Sequence, residues 1–246
     1  MQNFRLKNGD YCLSVNEIRK RVRELGNAER AEILQRFFKT APGQYGEGDL
    51  FLGLTVPQMR TLAKEYRAIS NEETVDLLQS AFHDERAIAL FILVQAFAKG
   101  DPAKQKQIYD LYLQQTKFIN SWDLVDGSAA QIVGAFLMDK SRKPLYTLAK
   151  SQNLWERRIA IIATFHFIRR NEFADTLKIS KLLIADKEDL IHKAVGWMLR
   201  EVGKRNLDVE ETFLIEHYEK MLRTMLRYAI EKFPEDRRQM YLRGLL

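Results

Sequence analysis

The hydrophobic and polar positions of this chain predict helix after helix, separated by short polar turns. A first helical region runs from Ser14 to Lys39, with Ser14 as N-cap and Glu17 three residues on, the spacing of a capping box. Residues 40–49 form a Gly/Pro connector. Gly43, Gly46 and Gly48 make no phosphate-binding fingerprint there, because no strand-then-helix context surrounds them. Thr55 then caps a helix that carries Pro57 in its first turn. Further helices are predicted over 57–68, 71–81, 84–99, 103–115, 122–139, 142–150, 155–170, 173–185, 188–204, 208–219 and 221–233. Residues 1–13 read as a flexible lead-in and 14–246 as a single helical-repeat domain.

Some of these helices, such as those around Ala87 and Ile159, are apolar all round and must be covered on most sides. Aligning them exposes a repeat. Arg86-Ala-Ile-Ala, Arg158-Ile-Ala-Ile, Lys193-Ala-Val-Gly and Arg227-Tyr-Ala-Ile each set a cation before a small apolar run, at steps of 72, 35 and 34 residues. The missing member falls near residue 122. A period near 35 residues with two helices per unit is the pattern of an all-α superhelix, an α-solenoid; the alternative is an irregular helical bundle. In a solenoid, Arg86, Asp126, Arg158, Lys193 and Arg227 line one concave face, with Arg200 adding to the ridge. Stacked cations suit a sugar–phosphate backbone, although each one also fits a helix-end charge or a salt-bridge partner.

The charge balance agrees without deciding: 39 basic against 33 acidic residues leave +6. A basic surface favours a polyanionic partner. The single cysteine, Cys12, excludes an internal disulfide framework and fits a reducing compartment. No apolar signal core opens the chain, and its longest apolar runs are too short to span a bilayer, so a soluble, cytoplasmic protein is expected.

The candidate chemistry centres on Trp122 and Asp126, four residues apart and therefore on one helical face. Asp126 is the one acidic member of the cationic row. A fixed anion weakens phosphate binding, but it stabilises positive charge that develops in a reaction, as when an N-glycosidic bond breaks through an oxocarbenium-like state. The competing reading is that Asp126 neutralises Arg158 or Lys193. Trp122 and Trp197 fall near the row, and Trp155 precedes Arg158 by three; each is a stacking face or a core residue. His83, His166, His192 and His217 show no metal-ligand spacing, and His166 reads as a core histidine. Metal, nucleotide-cofactor and covalent-thiol chemistry are all weakly supported.

Three segments carry a family resemblance. Ser121-Trp-Asp-Leu-Val-Asp126, Asn153-Leu-Trp-Glu-Arg-Arg158 and Lys193-Ala-Val-Gly-Trp-Met-Leu-Arg200 resemble the signature segments of the bacterial AlkD-like DNA alkylation-repair glycosylases. The stretch from Phe51 through Pro57 to Arg60 is similar to their N-terminal turn, and the resemblance covers roughly residues 30–205. It implies a right-handed HEAT-like superhelix whose concave face binds duplex DNA. It implies hydrolytic excision of alkylated purines, such as 3-methyladenine and 7-methylguanine, without metal or cofactor; nothing in the sequence suggests an obligate dimer, so a monomer that associates with the nucleoid when acting is expected.

The resemblance makes Asp126 the catalytic aspartate, with Trp122 and Trp197 flanking the lesion's deoxyribose and Arg158 holding the DNA backbone. Arg60, Arg86, Lys193, Arg200 and Arg227 are the further DNA-binding residues expected. Phe37 stands where some members carry tyrosine, the loop 40–49 is longer than theirs, and little resemblance extends past Asn206. Some relatives bind DNA without excising bases, so a DNA-structure-binding protein is one alternative and a protein-interaction scaffold another.

Overall fold

The computed structural model describes residues 14–245, so the lead-in expected over 1–13 lies outside the described residues. The chain divides into two compact units with the boundary after Gln95. Among the described residues all regular structure is helical, and extended pairing is limited to one isolated bridge between Leu50 and Phe82.

The first unit holds α1 (Val15–Glu24), α2 (Ala28–Phe37), α3 (Val56–Glu65), α4 (Asn71–Leu78) and the greater part of α5 (His83–Lys99). The region read as one helix from Ser14 to Lys39 is two. At the break, the Asn27 N–H leaves the helical ladder to bond the Leu52 carbonyl at 2.8 Å, and the Asn27 side chain caps α2 by accepting from the Arg30 N–H at 2.8 Å. Ser14 does cap α1, accepting from the Glu17 N–H at 3.3 Å. Full capping boxes form instead at Thr55/Gln58 and Ser70/Glu73. The connector over 40–49 is a series of turns, and the chain just after it is held by Asp84, whose carboxylate accepts from the Leu52 and Leu54 N–H groups at 2.7 and 2.8 Å.

The second unit continues with α6 (Pro102–Gln114), α7 (Trp122–Asp126), a π-helical turn (Ala130–Gly134) that runs into α8 (Ala135–Leu137), and α9 (Lys143–Leu148). Then come α10 (Leu154–Ala163), α11 (Phe165–Ile168), α12 (Ala174–Leu183), α13 (Asp189–Gly203), α14 (Leu207–His217), α15 (Arg223–Ala229) and α16 (Glu235–Arg243). Two long predicted helices, 122–139 and 155–170, are interrupted for one reason. Ser128 turns its hydroxyl onto the Leu124 carbonyl and Thr164 onto the Ile161 carbonyl, both at 2.6 Å, so a side chain takes up an oxygen at the helix end. Helix α16, which follows Pro234, lies beyond the last predicted segment.

In this unit α10 packs between α7 and α13, and α13 packs on α15. The apolar run Ile159 to Ala163 is wholly buried, as an all-round apolar helix requires. Each fully buried Ile there contributes about 1.5–3 kcal/mol. The repeat is visible in the packing. A Cβ on Gly134 would lie 2.2 Å from the Ala163 carbonyl and 2.7 Å from the His166 Cβ, while one on Gly196 would lie 2.4 Å from the Met225 carbonyl and 2.5 Å from the Tyr228 Cβ. The two contacts recur at identical offsets of 29 and 32 residues. Only glycine lets these helices approach so closely.

Candidate active site

Helix α7 is five residues long. Its Ser121 N-cap is extended and donates to Asp123 at 2.7 Å, while Leu124 and Val125 anchor the inner face. Trp122 and Asp126 share the outer face, both half-buried. The helix ends where Tyr112, fully buried, donates its hydroxyl to Ser128 at 2.9 Å and Ser128 in turn donates to Leu124. Burial pushes the Tyr112 phenol well above its usual range, so it stays a donor at every physiological pH.

The Asp126 carboxylate is gripped from α10. Arg158 donates Nε to Oδ1 at 2.9 Å and Nη2 to Oδ2 at 2.8 Å, and its Nη1 donates to the Leu190 carbonyl on α13. One guanidinium thus ties three successive inner helices across 32 residues on either side. The two partners differ in access: the Arg158 side chain is 5% exposed and that of Asp126 18%. Burial pushes the Asp126 carboxyl above its usual range, opposed by Arg158 and reinforced by Asp123. The two-oxygen grip is the geometry of the ionised form, with lone pairs left over on the open side.

The remaining predicted residues divide. Trp197 on α13 is half-buried, donates Nε1 to Glu201 at 3.1 Å, and tilts against Phe165 with ring centres 5.8 Å apart. Trp155 is a core residue, 8% exposed. Lys193 pairs with Asp189 at 2.7 Å, and Arg200 is held by Glu231 and Glu201. Arg60, stacked 5.1 Å over the Phe91 ring, and Arg227 are both exposed.

Arg86 corrects its expected place in the basic face. It is 3% exposed, donates Nη2 to Asp49 at 2.6 Å and Nη1 to the Ser80 carbonyl at 3.0 Å, and so has no surface to offer a phosphate. Arg158, equally sealed, is in this structure a partner of Asp126. His166 is half-buried rather than core, and burial together with Arg170 and Arg169 holds it down to about 4. Among the described residues no three His, Cys, Asp or Glu side chains gather to hold a metal ion. The anchors that no sequence pattern signalled are the Leu190 carbonyl and the Tyr112–Ser128 bond, since a backbone oxygen and a core tyrosine carry no motif.

Fold and site together define a helical-repeat protein with a guanidinium-clamped carboxylate one helical turn from a tryptophan. The chain belongs to the DNA alkylation repair enzyme family, whose sequence profile matches residues 18–233. Its role therefore lies in DNA alkylation repair, with DNA as its partner. Curated proteins give no significant match. Among solved structures, a predicted DNA alkylation repair enzyme from Enterococcus faecalis is 18% identical with a TM-score of 0.65, over 85% of this chain and 97% of that one. AlkD2 from Streptococcus mutans is 18% identical with a TM-score of 0.54, over 89% and 99%. At such identities these likenesses establish the fold, an all-α helical-repeat solenoid. No helix among the described residues is long and apolar enough to cross a membrane.

Proposed function

We propose that the protein is a DNA glycosylase that hydrolyses the N-glycosidic bond of cationic alkylpurines, such as 7-methylguanine and 3-methyladenine, in duplex DNA. The observation that carries this reading is the Asp126 carboxylate, partly open, fixed in orientation by Arg158 and one helical turn from Trp122. Pairing with a guanidinium removes the net negative charge that would repel the DNA backbone. The free lone pairs still face the place where a sugar cation develops.

An N3- or N7-alkylated purine is already cationic. It leaves with the bonding electron pair as a neutral base and needs no general acid. Water then bonds to the sugar carbon and gives up a proton to solvent. The protein supplies electrostatic stabilisation of the oxocarbenium-like state from Asp126 and two indole faces, Trp122 and Trp197, to confine the deoxyribose. Arg158 acts through Asp126 as a positioning residue, and Arg60 and Arg227 contact the DNA backbone. No cofactor or metal enters the reaction, and the protein works as a cytoplasmic monomer on nucleoid DNA.

One observation favours a second reading, a DNA-binding protein without catalysis: both Asp126 oxygens are already engaged by Arg158. Incubating the purified chain with methylated duplex and measuring free base separates the two. Release of 7-methylguanine is expected, with Asp126→Asn slowing single-turnover release by about 10²–10³-fold while duplex affinity is kept. Binding without release by the wild-type chain establishes the second reading instead.

A further inference from the structure

Of the predicted row, Arg158, Lys193 and Arg200 are all paired with carboxylates, so cations without such partners are better placed to grip the DNA backbone. Three exposed arginines gather where α11 and α13 end: Arg169, Arg170 and Arg205. Arg205 donates Nη1 to the Arg169 carbonyl at 3.4 Å, and Arg170 donates Nη1 to the His166 carbonyl at 3.1 Å. Both tethers are neutral, and none of the three guanidiniums has a carboxylate partner among the described residues. Two nearby carboxylates are committed elsewhere: Glu172 to Arg142, and Glu201 to Trp197, Arg200 and Lys204.

A helix C-terminus attracts one cation for its own sake, but three converging on it repel one another and create an unmet demand for anions. The depressed His166 sits in that same positive field. The cluster also connects to the site. The Arg169 guanidinium lies 4.2 Å over the Phe165 ring, which in turn leans on Trp197. The arginines therefore begin one ring beyond an indole of the proposed site.

We infer that Arg169, Arg170 and Arg205 form a binding site for the DNA sugar–phosphate backbone, taking phosphodiester anions of the strand that passes Trp197. Guanidinium is suited to this because it stays charged and presents paired donors to phosphate oxygens. The inference rests on DNA being the partner and is independent of whether a base is excised.

The test is fluorescence anisotropy of the full chain on an undamaged duplex over a salt series. Replacing all three by glutamine (Arg169→Gln, Arg170→Gln, Arg205→Gln) is expected to weaken binding about tenfold or more near 0.15 M salt. It should also flatten the slope of log affinity against log salt by about 2–3, close to 0.9 per phosphate lost. A charge-matched control removes Lys178, Lys181 and Lys187, exposed on and after α12, and should change affinity less than about twofold if position matters more than total charge. Wild-type affinity and slope in the arginine variant overturn the inference, as does an equal loss in the lysine control. A lost slope in the arginine variant supports it even where the wild-type chain releases no base, an outcome that sinks only the glycosylase reading.

Discussion

Arg86 and Arg158 stand 72 residues apart, each just before an apolar run in its own unit, and each grips an aspartate. The surroundings differ. Asp49 is 7% exposed, shared between Arg86 and His83, with the His83 ring stacked 4.6 Å from Phe51 and tilted against Phe38 at 5.0 Å. Asp126 stays partly open, one helical turn from Trp122. One repeat position thus serves in the first unit as an internal staple and in the second as a site whose anion can meet a ligand. A guanidinium–carboxylate pair becomes chemistry only where the carboxylate side is left uncovered.

The comparison is tested first by removing each guanidinium. Arg86→Met removes the guanidinium that holds the buried Asp49 and is expected to cost about 3–5 kcal/mol in urea unfolding, with base release per folded molecule unchanged. Arg158→Met leaves an anion that water can reach, so its stability cost should be smaller and its loss of release larger; equal stability costs would erase the distinction. A third carboxylate extends the series. Glu210 is 1% exposed with no ion pair among the described residues, and burial, then Glu211, lifts its carboxyl from 4.5 to about 9.

A carboxyl so raised holds its proton in the folded state where the unfolded chain has lost it. Its stability contribution is therefore complete below 4.5 and declines as pH rises toward 9. Glu210→Gln should gain on the order of 3 kcal/mol at pH 7 and nothing near pH 4, read from urea midpoints at the two pH values. The smallest effect is expected at Phe37, 61% exposed, where Phe37→Ala should shift stability by no more than about 0.5 kcal/mol. A larger loss would mean that this ring is packed more tightly than its exposure indicates.

The helical class, the caps at Ser14 and Thr55 and the period near 35 residues were legible because each depends on local spacing. What was illegible depends on which partner each polar group takes in the folded chain. Ser128 and Thr164 interrupt predicted helices through hydroxyls that equally well point outward, and the break at Asn27 joins a local cap to a bond with the distant Leu52 carbonyl. At the site, Trp122 and Asp126 follow from their i, i+4 spacing. The sequence suggested that Asp126 and Arg158 pair, but it could not indicate that Arg86 is buried, because sign and spacing are identical at both arginines and only the third dimension separates them.

The glycine contacts at Gly134 and Gly196 give the second unit a fixed gear. Because backbone meets backbone there, the pitch between repeats is metered by the main chain rather than by interchangeable side chains. A residue inserted between Arg158 and Ala163 would turn everything downstream by about 100° and unmesh Gly134 from its partner. The turns between helices can lengthen without that penalty. In this chain added length is therefore cheap in the turns and costly in the toothed segments, the clamp included.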